Sequence, residues 1–404
     1  GQVYSIREVN ASAELEQRLL DAAGQADMAF LASHGSIQNL HCFPRLWKTL
    51  AGRPVYFTST MGDELAELLP ESELEPPVYA ALDAYYQAGS QADLERLVLC
   101  ALNHCFGGDY PLSPPSPIRG QGIYTLEGLL PLEAEGAFQA RMAAEFRPVI
   151  GVLIHDHYTK TGNLEHVDAL LRAIQARGCV PYALSDSFAS DHTAQQGMLY
   201  RMARAYRRAD GSPIPAALVV SYGFSLTTLS GQEVRAGQVP ASVFEDWGLP
   251  VIQALTTYFN AEEYHRDIRG LDLVSLPVCV YQPEFDGQLI SVPYAVTERT
   301  ADGRKVCLPL PDRVTRVAEL ACRWAELARK PMPEKKVAVI FHNMPPRSDT
   351  IGSAHGLDTP ETVFRVVRAL ESQGLRTAYS FSSGAEIIAR IRAAVTHDNR
   401  WLSP

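Results

Sequence analysis

The chain has 404 residues, which points to about two or three domains rather than one. Hydrophobic residues make up 46% and charged residues 20%, which excludes an intrinsically disordered chain. Thirty-six Lys and Arg against 46 Asp and Glu leave a net charge of −10, which weighs against nucleic acid or an anionic membrane as the main partner, because both call for clustered positive charge.

In chain order, the rhythm is a short apolar run, a polar loop, then a helix-period segment. A helix near 13–23 precedes a buried strand over Asp27–Ser33, and a helix around Phe43–Leu50 precedes a second strand over Pro54–Thr58. The stretch from Pro77 to Leu102 reads as helical, with Leu94, Leu97, Val98, Ala101 and Leu102 on about one face. Between Gly107 and Pro117 glycines and prolines crowd together; proline fixes φ and lacks a donor, so this is a boundary leading into an extended connector over Ile118–Arg147. A second unit follows, with strands over Pro148–Ile154, Cys179–Leu184, Ala216–Ser221 and Val251–Leu255. Its helices are expected over Asn163–Arg177, Gly197–Arg208 and Arg313–Ala328. After a proline and charge linker at 331–336, a third unit opens with a strand over Val337–Phe341 and a helix from Thr359 to Gln373. Thr359, Pro360 and Glu361 supply a hydroxyl cap, a proline in the first turn and an early acid. A strand over Arg376–Ser380 and a helix over Ala385–Val395 end the series.

The fold class expected is α/β: several parallel-sheet units of Rossmann-like or flavodoxin-like type in tandem. The boundaries read as an N-terminal α/β domain over 1–110, a connector over 111–147, a central α/β domain over 148–330, and the incomplete start of a third over 331–404. No apolar run reaches the roughly 18 residues that a bilayer span requires, and no signal pattern opens the chain. With seven irregularly spaced cysteines, which suit free thiols, this sets the expectation of a cytoplasmic protein.

The common catalytic motifs are missing. There is no G-x-x-x-x-G-K-[ST], so ATP is not assigned to this chain, and Gly120-Gln-Gly122 lacks the context of a dinucleotide fingerprint. Cys100, His104 and Cys105 have a metal-like spacing but no second ligand pair, and they sit in a helix-period segment where small buried thiols are usual. What remains is positional. Polar or glycine residues follow the expected strands at Ser33-His34-Gly35, His155-Asp156-His157, Ser221-Tyr222-Gly223 and His342-Asn343. Open parallel sheets bind ligands at the carboxyl edge of their strands. Each exit alone reads as ordinary loop chemistry; the four together point to a ligand cleft. His155 and His157 fall on one side of an extended segment, where they could share a metal or an acidic group. Glu284 and Asp286, flanking Phe285 before Gly287, read also as a hairpin turn. His41 reads as structural, His166 as a surface residue, and Arg201, Arg204, Arg207 and Arg208 as a solvated helix face.

One segment is far more specific. Phe341-His-Asn343, Pro345-Pro-Arg347, Ile351-Gly352 and Gly356-Leu-Asp-Thr-Pro360 resemble the large subunit of cobaltochelatase and, more distantly, the porphyrin-binding H subunit of magnesium chelatase. The magnesium version keeps the Pro-Pro but lacks the His-Asn and the Asp-Thr-Pro, so this sequence sides with the cobalt branch. Similar landmarks are Arg147–Ile154 with Thr161-Gly-Asn163, Trp247–Ala254, Gln282–Gly287 and Arg323–Lys330; before Arg147 the likeness rests on His34-Gly35 and 119–124. His155-Asp-His157 departs from the family, which carries an Arg or Ser-type loop there.

The resemblance implies a subunit that binds a corrin precursor, hydrogenobyrinic acid a,c-diamide, and inserts cobalt(II) in cobalamin biosynthesis. Separate AAA+ motor subunits would hydrolyse ATP, in keeping with the missing P-loop. The family is longer and its later histidine-rich landmark is not in this sequence, so the expectation is an amino-terminal portion, inactive alone. The alternatives are a magnesium chelatase H-type subunit inserting Mg2+ into protoporphyrin IX, or a non-catalytic tetrapyrrole- or metal-binding module. Metal insertion removes pyrrole protons and strips water from the ion, work for imidazoles and carboxylates. The catalytic candidates are His342 and Asp358, with Asp349 nearby. The substrate-binding candidates are Arg347 (for a peripheral carboxylate), His355, Glu284, His34 and Tyr222. The metal candidates are His155, His157 and His342. Against these, Asp358 or Thr359 could simply cap the helix and His355 could be an exposed loop residue.

Overall fold

Apolar runs with little polar alternation build the central strands of this chain, because both faces of each are covered. The structure, a computed structural model, describes residues 2–33, 36–59, 67–68, 72–116, 120–187, 198–223, 225–226, 244–273, 275–301, 303–345, 347 and 349–394. It divides into two units: Gly1–Gly122 with His155–Leu164 and Ser185–Ser187, and Ile123–Ile154 with Glu165–Leu184 and Phe188–Pro404. Among the described residues no helix is long and apolar enough to cross a membrane.

In the first unit, β1 (Ala29–Ser33) and β2 (Val55–Ser59) pair in parallel, from Ala29 opposite Val55 to Ser33 opposite Ser59. The helix Ala13–Gln25 starts where the Ser12 hydroxyl accepts the Leu15 amide, and it packs on the helix Phe43–Thr49. Leu20, Ile37, Phe43, Leu46 and Phe57 form the core between them. The helical stretch expected from Pro77 to Leu102 is two helices, Pro76–Ala88 and Gln91–Phe106. Gly89 closes the first at φ +69°, and the Ser90 side chain caps the second by accepting the Asp93 amide.

The second unit holds most of a six-stranded sheet. Its strands are β3 (Gly122–Thr125), β4 (Gly128–Leu129), β5 (Val149–His155), β6 (Val180–Asp186), β7 (Ala217–Ser221) and β8 (Val251–Gln253), in the order β4-β3-β6-β5-β7-β8. β5, β7 and β8 run parallel, and β3 and β4 form an antiparallel hairpin. The segment expected to be an extended connector therefore carries two strands and the helix Leu132–Ala143. The proline cluster ends at Pro117, and beyond it Glu133, Ala134, Glu135, Ala137 and Ala140 favour a helix. β5 is buried along nearly its whole length. At its centre a Cβ on Gly151 would lie 2.6 Å from Leu218 Cδ2 and 2.9 Å from the Tyr206 ring. That ring fills the space glycine leaves. Its hydroxyl donates to Val152 O at 2.6 Å and accepts the Leu184 amide at 2.9 Å.

A second sheet, β11-β10-β9, joins β9 (Leu255–Thr256), β10 (Pro293–Arg299) and β11 (Lys305–Pro309). The helix Pro311–Arg329 packs on the helix Glu165–Ala176 and on β7 and β10. Its buried stripe of Val314, Val317, Ala318, Ala321, Cys322 and Ala325 keeps mostly small residues at that contact. His166, expected at the surface, is fully buried, its ring 5.7 Å from that of Tyr294. Of the residues expected on a solvated helix face, Arg204 is exposed on the helix Met198–Tyr206, whereas beyond the helix Arg207 lies 4.4 Å over the Trp247 ring and Arg208 bonds Ala143 O and Pro213 O. All seven cysteines are free, and burial pushes the thiols of Cys100 and Cys105 up.

From 331 onward the expectation of strands fails. Val337–Phe341 and Arg376–Ser380 form no strand, and the second bends at Ala378 and Tyr379. A strand needs a ladder partner, and among the described residues neither run has one. The helices do form, as Thr359–Ser372 and Gly384–Ala393 packed on each other. Gly384 permits this contact, since a Cβ there would meet the Pro360 backbone at 2.4 Å.

Candidate functional site

The segment that carries the strongest sequence signal folds as a self-braced loop. Gly352 N donates to His342 O at 2.7 Å, and Asn343 and Ile351 form an antiparallel bridge. Gly352 sits at φ +73° with no room for a side chain, because Phe341 Cδ1 would lie 2.6 Å from its Cβ. Inside the loop the Thr350 hydroxyl is the hub. It lies 2.8 Å from the Asn343 side-chain amide, 2.5 Å from Pro345 O and 3.0 Å from Arg347 O, and accepts the Arg347 amide at 3.3 Å. Sequence reasoning passed over Thr350; a hydroxyl between a Pro-Pro-Arg and an Ile-Gly was the available sign of a loop bonded to its own backbone.

With its backbone bonds spent inwards, the loop displays its charged side chains outwards. Arg347 is exposed and holds Asp349 in a fork, Nε to Oδ1 at 2.9 Å and Nη2 to Oδ2 at 2.6 Å. His342 and His355 are exposed, and among the described residues neither side chain has a polar partner. Asp358 is the helix cap: its carboxylate accepts the Glu361 amide at 3.1 Å, one residue before the expected cap at Thr359. His342, Arg347, Asp349, His355 and Asp358 thus share one short stretch of surface chain.

The exit of β5 is a different environment. His155 caps the short helix Asp156–Thr161, its Nδ1 accepting the His157 amide at 3.1 Å. Asp156 is buried between His155 Nδ1 at 3.1 Å and Lys160 Nζ at 2.9 Å. Burial opposes its charge, but the side-chain contacts with His155 and Lys160 and the Lys160 ammonium outweigh it and hold the carboxyl down at about 2. Thr159 and Ser185 both bond Gly120 O, and Gln121 bonds Ser187, so side chains tie residues 120–121 to the exits of β5 and β6. Among the described residues no three His, Cys, Asp or Glu side chains gather as a metal set.

The remaining candidates scatter. Tyr222 is buried in the core with Leu226 and Phe244. Glu284 is exposed on the short helix Gln282–Phe285, where a hairpin turn was an alternative reading. Its neighbour Asp286 is buried and accepts the Ser225 hydroxyl and Leu226 amide, each at 2.7 Å. The helix forms instead of a hairpin because the preceding 277–281 is already helical, as a π turn. His34 lies outside the described residues.

A family model described as CobN/Magnesium Chelatase matches residues 83–404. The chain belongs to that family. An uncharacterized protein of Methanocaldococcus jannaschii is 30% identical over 323 residues, 76% of this chain and 25% of that protein. An aerobic cobaltochelatase subunit CobN of Pseudomonas aeruginosa is 28% identical over 78% of this chain and 24% of its own length. The chloroplastic magnesium-chelatase subunit ChlH of rice is 27% identical over 56% of this chain and 16% of its own. The chain therefore spans about a quarter or less of the length of these relatives. A solved structure of the catalytic subunit of cobaltochelatase from Mycobacterium tuberculosis superposes with a TM-score of 0.60, covering 94% of this chain and 30% of that one. At 23% identity it bears on the fold alone.

Proposed function

We propose that the chain is part of the large, tetrapyrrole-binding subunit of an ATP-dependent cobaltochelatase, in which cobalt(II) is the substrate metal and a corrin of the hydrogenobyrinic acid a,c-diamide type is the acceptor. The observation that carries this reading is the braced loop over 342–352, which presents a free imidazole at His342 and a guanidinium at Arg347 on a fixed backbone. A neutral imidazole can take a pyrrole proton or hold a metal in passing, and a guanidinium suits a peripheral carboxylate. Cobalt is favoured over magnesium by the His-Asn and Asp-Thr-Pro within 342–360, and the cobaltochelatase relative aligns over 78% of the chain against 56% for the magnesium one. In this reading AAA+ motor subunits supply ATP hydrolysis, and the complete subunit, rather than these 404 residues, performs insertion.

The test is a titration of the chain with a carboxylated porphyrin, followed in the Soret region, for wild type and His342→Ala. Loss of about 1–2 kcal/mol of binding in the variant, a roughly five- to thirtyfold weaker Kd, is expected if His342 touches the macrocycle. An unchanged Kd removes His342 from the site. Insertion assayed with the complete subunit, its motor partners and ATP then decides between cobalt and magnesium.

A further inference from the structure

The fork between Arg347 and Asp349 has the geometry of carboxylate recognition, yet the carboxylate in it belongs to the chain itself. Both guanidinium contacts are made, at 2.9 and 2.6 Å, and both side chains stand in solvent, 65% and 64% exposed. A pair so exposed is held weakly, because water screens the attraction and two mobile side chains must be ordered. The backbone beneath it is not mobile in the same sense: Thr350 bonds the amide and the carbonyl of Arg347, and the Asn343–Ile351 bridge closes the loop. A firm base thus carries a loosely held internal carboxylate on the guanidinium.

We propose that Asp349 is a specificity-determining residue, an internal stand-in that occupies the Arg347 fork until a carboxylate on the rim of the macrocycle displaces it. The inference rests on the reading of Arg347 as a carboxylate site. The exchange makes and breaks ion pairs only: Arg347 trades one carboxylate for another, and Asp349 passes into water. Its consequence is discrimination. A macrocycle rim without carboxylates cannot enter the fork, and one carboxylate must compete with a partner two residues away, so ligands carrying several carboxylates are favoured.

Equilibrium titrations of the 404-residue chain with uroporphyrin, whose rim carries carboxylates, and with a pyridinium-substituted porphyrin, whose rim carries none, test this. The variants are Asp349→Asn, Arg347→Gln and the double variant. Asp349→Asn is expected to bind uroporphyrin about two- to fivefold tighter, the worth of an exposed ion pair. Arg347→Gln is expected to bind it more weakly, and the double variant to show no gain over Arg347→Gln. Tighter binding of the pyridinium porphyrin by Asp349→Asn, or unchanged or weaker binding of uroporphyrin, overturns the stand-in while leaving Arg347 as a carboxylate site if Arg347→Gln still weakens binding. If Arg347→Gln changes nothing, or if no variant binds uroporphyrin, the carboxylate site itself is wrong and the stand-in falls with it.

Discussion

Val149–Ile154 and Val337–Phe341 are nearly the same kind of sequence, apolar and β-branched, and they end in opposite surroundings. The first is a central strand, with β6 on one side, β7 on the other and Tyr206 packed against Gly151. The second forms no strand and is exposed, Ile340 keeping 92% of its surface in water. The difference is not propensity. A strand is stabilised by what pairs with its backbone and covers its faces, and the first run has both among the described residues while the second has neither.

The largest expected effect tests that contrast directly. Ile150→Ala removes a side chain with no exposed surface and should lower unfolding free energy by about 2–5 kcal/mol, measured by urea denaturation. Ile340→Ala should stay within about 0.5 kcal/mol of wild type. Similar losses at both sites would mean that the second run is covered after all. A smaller effect is expected from filling the glycine. Gly151→Ala should cost about 1–3 kcal/mol by pressing on Leu218 and Tyr206, and pairing it with Tyr206→Phe should not be additive, since the two side chains share one space. Additive losses would show that the ring has room to move.

The smallest effect concerns charge instead of shape. Asp156 is buried and its folded carboxyl titrates at about 2, below the unfolded value near 4. The group is therefore ionised and stabilising above about pH 4, and its contribution disappears as pH falls toward 2. Solvent near the pair reduces the worth of the shift to about 1 kcal/mol. Asp156→Asn should flatten the stability profile between about pH 4 and 2 without altering its slope above pH 5. An unchanged acid limb would assign that slope to other carboxylates.

Much of the α/β character was legible from the residues. β5, β6 and β7 follow from continuous apolar runs, and the helix Pro311–Arg329 from its periodic stripe. β10 and β11 were not read, although Asp302-Gly303 between two alternating segments is a hairpin signal, because charged residues such as Glu298, Arg299 and Lys305 masked the alternation. The helix Leu132–Ala143 was lost to a proline cluster carried too far along the chain. At the candidate site, the residue types of the 341–360 segment stood out, but their state did not. The cap was legible as a choice between Asp358 and Thr359, but that Asp349 occupies Arg347 and that Thr350 braces the loop depend on contacts made at short range in three dimensions. Spacing alone does not distinguish a displayed side chain from an occupied one.

The tyrosine hydroxyl between Val152 and Leu184 has an evolutionary consequence. A phenol reaching into a sheet ties two otherwise distant positions into one unit of inheritance, since residue 151 must lack a side chain for residue 206 to carry a ring. A lineage that gains bulk at 151 has to shrink 206 and then find new partners for a stranded carbonyl and amide. Such a double step passes through a weakened intermediate, so this pair should drift together or not at all.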